Sequence, residues 1–267
     1  MNIKLYQVDA FTDTLFKGNP AAVCPLEYWP EDDLLQNIAM ENNLAETAFY
    51  IKMEDHFEIR WFTPSIEVDL CGHAPLATAH VLIKHEGLKE DVIRFISPRS
   101  GILNVFKKGD YLTLDFPVDV YKPVEITEKI QAGFSIKIME AYLGKTDYML
   151  VFKDEDQIRK LEVDLIKVAN LEECRGVIVT APGTKSDFVS RFFAPQSGIN
   201  EDPVTGSSHT TLTPYWSDKL GKQELTAYQL SQRGGYLKCK NKGKRVEISG
   251  KAKTFMVGEI VLESFPE

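Results

Sequence analysis

The stretch "IRWFTPSIEVDLCGHAPLATAHVL", residues 59–82, places an aromatic strand pattern, a loop and a glycine directly before an apolar helical pattern. A second stretch, "SRFFAPQSGINEDPVTGSSHTTL", residues 190–212, repeats this order. Each has an arginine, two aromatic residues, one further residue and a proline, and then an acid shortly before a glycine. The two glycines lie half a chain length apart, which predicts a duplicated structural unit. The alternative is a chance match of two hydrophobic strands.

The remaining pattern is rich in strands. Short β-branched or aromatic segments with alternating polarity predict strands. They cover residues 3–11, 57–63, 102–106, 111–116, 175–181, 187–193 and 245–250, and a hairpin turns at Gly234 and Gly235. Helices are predicted at residues 30–42 and at the starts marked by Gly72 and Gly206. Closely spaced strands with few crossover helices favour an antiparallel α+β fold over a doubly wound parallel sheet.

The chain length predicts two domains, because 267 residues exceed the usual size of one domain. The boundary is placed near residue 118, where "DFPVDVYKPVE" carries two prolines after a strand. The predicted domains are therefore residues 1–118 and 119–267. This division leaves open that the last strand packs back on the first domain.

The charge pattern bears on possible partners. The net charge of -8 argues against nucleic acid, which is bound through a clustered positive field. The lysine-rich segment "KCKNKGKR", residues 238–245, is interpreted as an exposed hairpin, with a nucleic-acid patch as the alternative. The N-terminus lacks the apolar core of a secretory signal, and the apolar run at residues 70–83 is too short to span a bilayer. We therefore expect no membrane partner and a cytoplasmic location.

The four cysteines lie far apart without C-x-x-C spacing, which predicts neither a zinc site nor a disulfide framework. Motifs for a phosphate loop, a dinucleotide fold, a zinc protease and a serine hydrolase are all missing from the sequence. What remains is acid/base chemistry without a metal or an organic cofactor.

The two glycine-started helices suggest where such chemistry takes place. A helix N-terminus carries unpartnered N–H groups and a partial positive charge, so it can bind a carboxylate. A tight strand-to-helix turn would also explain each glycine alone. The presence of two matched copies favours a site for a small acidic ligand.

Several polar residues near these glycines allow two interpretations each. His73 either caps or packs against its helix or takes part in a reaction. Asp202 is a helix cap or a site residue, and Ser207 satisfies backbone groups or binds a ligand. Asp69 is interpreted as an ordinary loop carboxylate. Glu46, in "ENNLAETAFY" at residues 41–50, lies at a helix-to-strand junction where neither element needs an acid.

The chain resembles the phenazine biosynthesis PhzF-like family, within the diaminopimelate epimerase fold superfamily, over nearly its whole length. The resemblance is carried by "YQVDAFT", "FKGNPAAVCPL", "NLAETAF", the two repeated stretches and "LSQRGGYL". It implies two similar domains, each a β-barrel-like antiparallel sheet around a central helix, with an active site between them. It also implies a homodimer and cofactor-independent isomerisation, in which a glutamate moves a proton on a dihydro-hydroxyanthranilate.

The resemblance implies a role for each matching residue. Glu46 would carry the proton, His73 and Asp202 would orient the substrate or share the proton, and Ser207 would bind a polar substituent. The residues expected to bind the substrate, a small carboxylate-bearing molecule, are Gly72, Gly206, Asn19, Asp69 and Thr205.

Two other functions remain open. Related epimerases and racemases use two thiols, and here Cys71 precedes Gly72 while Thr205 precedes Gly206. A two-thiol racemase is therefore disfavoured, and Cys71 is read as a packing residue rather than a nucleophile. The third reading is a binding protein that kept the ligand site and lost the chemistry. Sequence alone names neither the substrate nor a link to phenazine synthesis.

Overall fold

The computed structural model describes residues 2–68 and 72–262. Its strands are β1 (Asn2–Ala10), β2 (Asn19–Leu26), β3 (Glu46–Lys52), β4 (Phe57–Phe62), β5 (Glu67–Val68), β6 (Val92–Ser97), β7 (Gly101–Lys108), β8 (Tyr111–Pro117), β9 (Lys122–Pro123), β10 (Glu140–Leu143), β11 (Asp147–Val151), β12 (Gly176–Pro182), β13 (Phe188–Phe193), β14 (Glu224–Gln229), β15 (Gly235–Asn241), β16 (Arg245–Gly250) and β17 (Ala252–Val261). Its helices are α1 (Asp32–Asn42), α2 (His73–Lys84), α3 (Glu128–Gln131), α4 (Glu155–Lys160), α5 (Leu165–Ala169) and α6 (His209–Leu220), with a 3-10 helix at Pro195–Ser197.

These elements form two compact units. Unit 1 contains the described residues up to 115 together with 249–262, and unit 2 contains residues 116–248. The chain therefore changes unit twice, once within β8 and once within β16. The first change lies within three residues of the predicted boundary at residue 118, and β17 belongs to unit 1.

The sheet of unit 1 is mainly antiparallel. β1 pairs with both β2 and β17, and β3 with β4, in antiparallel register. Two pairs are parallel, β2 with β3 and β4 with β6. The predicted α+β fold is confirmed, with the addition of these parallel pairs, which bring the starts of β2 and β3 side by side.

Helix α2 is the central helix of unit 1. Nine of its twelve residues are buried, and it contacts β1, β2, β3, β7 and β17. A helix that is apolar on all faces is stable only when it is enclosed. Its small residues allow this, and the Thr78 hydroxyl donates to the Ala74 carbonyl oxygen at 2.8 Å, so no unpaired hydroxyl is buried there.

Unit 2 repeats this plan. β12 and β13 are antiparallel, whereas β11 pairs with β12 and β13 with β14 in parallel register. Helix α6 contacts β14 and β15. It begins at His209, three residues after the predicted start, because Gly206–Ser208 form a tighter turn whose carbonyl oxygens accept i→i+3 hydrogen bonds.

The remaining predictions concern the hairpins and the surface. The hairpin at Gly234 and Gly235 is confirmed by the antiparallel pairing of β14 with β15. The lysine-rich segment joins β15 to β16, and Lys242, Lys244 and Arg245 are exposed there. Within the described residues, no helix is long and apolar enough to cross a membrane.

Candidate active site

Three polar residues lie at element starts in unit 1. Asn19 begins β2, Glu46 begins β3 and His73 begins α2. The parallel pairing of β2 with β3 places Ala21 opposite Glu46, so the starts of both strands lie together. Because α2 contacts both strands, its first residue reaches the same position. The fold thus assembles a carboxyl group, an imidazole and an amide from three separate parts of the chain.

Glu46 and His73 form a close pair. Glu46 Oε2 lies 2.7 Å from His73 Nε2, and the side chains are 13% and 5% exposed, respectively. The distance is that of an ion pair, but the angle falls outside hydrogen-bond geometry. A carboxyl group and an imidazole at this separation, shielded from water, can hold and exchange a proton.

The other ring nitrogen of His73 faces Asn19. Asn19 Nδ2 lies 3.3 Å from His73 Nδ1, and Asn19 is completely buried. Asn19 was predicted to bind the substrate, and the structure places its amide against the imidazole. His73 therefore has a different polar partner at each ring nitrogen.

Gly72 precedes this histidine as the N-cap residue of α2. Its φ of -93° and ψ of -43° lie in the right-handed region, which any residue can adopt. Backbone conformation therefore does not require a glycine here. Close approach of another group to the backbone would require one.

Strand β5 is bound to an arginine of β4. The Arg60 guanidinium donates to both carboxylate oxygens of Glu67, from Nε at 2.8 Å and from Nη2 at 2.9 Å. It also lies over the ring of Phe62, 5.1 Å from the ring centroid. Such a bidentate pair fixes both position and angle. We call this pair the unit 1 clamp.

Unit 2 has a matching clamp. Arg191 of β13 donates to both oxygens of Glu201, from Nε at 2.7 Å and from Nη2 at 3.0 Å. It lies 4.9 Å from the ring centroid of Phe193. In both units the aromatic residue follows the arginine by two positions, and the glutamate precedes the glycine by five. The sequence repeat is therefore also a repeat of side-chain contacts.

Asp202 lies at the centre of a buried network in unit 2. The Thr205 hydroxyl donates a short hydrogen bond to Asp202 Oδ2. Gln229, which is completely buried, accepts from the Thr205 N–H at 2.8 Å and donates to the Asp202 carbonyl oxygen at 2.9 Å. Gln229 Nε2 also donates to the Thr205 hydroxyl oxygen at 3.1 Å. This network fixes the turn that leads to Gly206.

Ser207 has an arginine beside it. Arg175 Nη2 donates to Ser207 Oγ at 3.4 Å. The same guanidinium forms a bidentate pair with the buried carboxylate of Asp147 and lies over the Phe192 ring. The hydroxyl of Ser207 is thereby left able to donate to another group, since its oxygen already accepts from Arg175.

His209, the first residue of α6, completes this region. Its Nδ1 donates to the Thr205 carbonyl oxygen at 2.8 Å. Its Nε2 is buried without a hydrogen-bond partner in the described residues. Burial lowers the pKa of His209 to about 4, despite the favourable hydrogen bond to the Thr205 carbonyl. The imidazole is therefore neutral at physiological pH.

The structure thus collects the predicted residues into two sets. Glu46, His73, Asn19 and Gly72 lie together in unit 1, whereas Asp202, Thr205, Gly206 and Ser207 lie together in unit 2. Asp69 and Cys71 lie outside the described residues. The described residues contain no group of three or more His, Cys, Asp or Glu side chains that could hold a metal ion.

Two residues of unit 2, Gln229 and Arg175, were not predicted from the sequence. Gln229 could have been found, because Leu225, Ala227 and Gln229 alternate along β14 and all three are buried. An amide on the buried face of a strand indicates a specific partner. Arg175 had no comparable signal, since it stands alone before an apolar strand.

Comparison with solved structures identifies the fold class first. The structure resembles a hydroxyproline epimerase from Agrobacterium vitis, with a TM-score of 0.61 and 10% identity over 98% of this chain and 93% of that chain. At this identity the likeness shows the fold alone. The chain therefore shares the fold of that epimerase.

More similar proteins identify the family. The model of the phenazine biosynthesis-like protein family matches residues 8–258. A PhzF family protein from Enterococcus faecalis has a TM-score of 0.95 and 49% identity, covering 98% of this chain and all of that one. An uncharacterised isomerase of Pseudomonas aeruginosa is 49% identical over 263 residues, 98% of this chain and 100% of that protein. The chain belongs to the phenazine biosynthesis-like family, and it is an isomerase of that family.

Proposed function

We propose that this isomerase moves a proton between carbon atoms of a small carboxylate-bearing substrate, with Glu46 as the acid/base and without a cofactor. The observation that carries the proposal is the buried contact of 2.7 Å between Glu46 Oε2 and His73 Nε2. An exposed surface acid would have no such buried partner. Relatives named as isomerases support proton transfer as the use of this pair.

In the proposed reaction, Glu46 removes a proton from a substrate carbon. The electron pair of the broken C–H bond enters the adjacent unsaturated system of the substrate. Glu46 then returns the proton to a different carbon, so no proton or electron is gained or lost overall. His73 stabilises the carboxylate form of Glu46 before the first step and after the second.

Residues of unit 2 are suited to bind polar groups of a ligand, and the family resemblance implies that they contact the substrate. Ser207 is suited to donate to a carboxylate or carbonyl oxygen, because Arg175 already donates to its own oxygen. Asp202, fixed by Thr205 and Gln229, would orient an amino or hydroxyl substituent. In this proposal Gly72 and Gly206 admit the ligand to the backbone, as the family resemblance implies.

The experiment that tests the proposal is proton exchange in heavy water. A dihydro-hydroxyanthranilate, the substrate class implied by the family resemblance, is incubated with the protein, and NMR follows deuterium incorporation into the carbon skeleton. We expect exchange with the wild type and a loss of about 10²–10⁴-fold in Glu46→Gln, which is the usual contribution of a general acid/base.

Glu41→Gln is the matched control. Glu41 is an exposed residue of α1 only five residues away, and the same change there should leave exchange intact. Exchange at the wild-type rate in Glu46→Gln would refute the role of Glu46. If the wild type binds the ligand by calorimetry but shows no exchange, the result would instead support a binding protein that lost the chemistry.

The second hypothesis is that the protein is an epimerase or racemase. A two-thiol mechanism would need a thiol at position 205, where the Thr205 hydroxyl is bonded to Asp202. This hypothesis requires a reactive thiol, so normal turnover in Cys71→Ser would exclude it. Cofactor independence and the homodimer remain predictions of the family resemblance, and the cytoplasmic location remains a prediction from the sequence.

A further inference from the structure

Asn19 has a position that substrate binding does not explain. It is completely buried, it begins β2, and its amide nitrogen lies 3.3 Å from His73 Nδ1. Asn19 itself pairs with Ala10 of β1, and β3 joins the other side of β2 two residues later, where Ala21 lies opposite Glu46. The amide is therefore held against the imidazole by paired strands rather than by a flexible loop.

The chemistry of the two groups limits how they can meet. An amide NH₂ group can only donate, so the ring nitrogen facing it must accept. A neutral imidazole that accepts at Nδ1 carries its hydrogen on Nε2, and Nε2 is the atom that faces Glu46 at 2.7 Å. An imidazolium would direct a second N–H at the amide nitrogen, which disfavours the doubly protonated ring.

We propose that Asn19 is a positioning residue that selects the Nε2–H tautomer of His73. With that tautomer the ring presents an N–H rather than a lone pair to the Glu46 carboxyl group, whose Oε2 lies 2.7 Å from Nε2, and an N–H suits the carboxylate form that can take a proton. The opposite tautomer would present a lone pair to Glu46 and would stabilise the protonated carboxylic acid. The catalytic consequence rests on the proposed function, whereas the tautomer itself does not.

The tautomer can be measured without a substrate. Histidine labelled with 15N gives separate signals for protonated and unprotonated ring nitrogens, and the His73 signals are assigned by their loss in His73→Gln. In the wild type we expect the hydrogen on Nε2 and a bare Nδ1. In Asn19→Asp the new carboxylate accepts at this position, so Nδ1 should become protonated.

Two further variants complete the experiment. Asn19→Ala removes the amide without adding a charge, and it should leave a mixture of both tautomers even where the charged variant fails to fold. Asn37→Asp, the same change on an exposed residue of α1, should leave the His73 signals unchanged. A wild-type ring protonated at Nδ1, or one tautomer shared by the wild type, Asn19→Asp and Asn19→Ala, would overturn the proposal.

The deuterium-exchange assay tests the effect of Asn19 on catalysis. In Asn19→Ala and Asn19→Asp we expect the rate constant at saturating substrate to fall by about 10²-fold or more, with a smaller change in KM, because the amide acts on His73 rather than on the substrate. A change confined to KM would indicate direct substrate contact and would overturn the assignment. A tautomer shift in a protein without any exchange activity would refute the proposed function and leave the role of Asn19 standing.

Discussion

The buried His209 should make the protein less stable in mild acid. Its imidazole is completely buried, and its Nε2 has no hydrogen-bond partner in the described residues. Above pH 6.5, the ordinary pKa of histidine, the ring is neutral in the folded and unfolded states, so His209 adds no pH dependence. Below it, the unfolded chain binds a proton that the folded state takes up only near its pKa of about 4.

The size of the effect follows from this difference in pKa. Each unit of difference is worth about 1.4 kcal/mol, so the loss of unfolding free energy attributable to His209 reaches about 3 kcal/mol near pH 4. At about pH 5 the expected loss is about 2 kcal/mol. Below about pH 4 the folded state is protonated as well, and this contribution stops growing.

The assay is urea unfolding at about pH 7.5 and about pH 5, followed by tryptophan fluorescence. Trp216 lies in the same helix as His209 and stacks on Phe188, so it reports on this part of unit 2. In His209→Gln the difference between the two pH values should shrink by about 2 kcal/mol, regardless of the stability of the variant at the higher pH. His209→Asn repeats the comparison with a shorter side chain. An unchanged difference in both variants would refute the reasoning.

Two further predictions concern the clamps and the backbone. Glu201→Gln should lower the unfolding free energy by about 1–3 kcal/mol, because Arg191 loses a bidentate carboxylate partner in a largely buried site. Asp156 pairs with Lys160 on the surface, so Asp156→Asn should lower the unfolding free energy by less than about 0.5 kcal/mol in the same urea assay. Equal losses in the two variants would contradict the stabilising role of the unit 2 clamp. Gly18→Ala should cost about 3 kcal/mol or more, since φ is +69° and the new Cβ would lie 2.1 Å from a carbonyl oxygen. Gly243→Ala, with φ of +80° and open space, should cost only about 1–2 kcal/mol, and equal melting points would contradict this difference.

Most strands were predictable because their alternation reflects one buried face. The segment at residues 245–250 matches β16, and that at 57–63 matches β4 to one residue. β2 was missed because Pro20 and Pro25 argue against a strand. Its parallel pairing with β3 was also beyond reach, since alternation in one strand does not report the direction of its neighbour.

The short helices of unit 2 were missed for a different reason. α3, α4 and α5 have four to six residues, too few for a periodic apolar face. Their signal is local: Thr127, Asp154 and Asp164 each accept a hydrogen bond from the N–H three residues later. Such capping residues mark helix starts, but loops contain them as well.

The residues of the site were predictable as chemical types, whereas their partners were not. Glu46 was recognisable as an acid without a structural purpose, and its contact with His73 depends on the packing of α2 against β3. The network around Asp202 depends on Gln229, which comes from another strand. Such contacts join distant parts of the chain, so they follow only from the complete fold.

The repeated clamp has an evolutionary consequence. Measured from the clamp glutamate, His73 and Ser207 occupy the same position, one residue after the glycine. An ancestral half that assembled as two identical copies would have presented the same side chain twice. Fusion of such copies into one chain would release each from that symmetry. Here the position after the glycine carries an imidazole in unit 1, where it starts α2, and a hydroxyl in unit 2, where it lies in the turn before α6. Single substitutions at matching positions are then enough to give the two halves different chemistry, while the Arg60–Glu67 and Arg191–Glu201 pairs keep the same form in both.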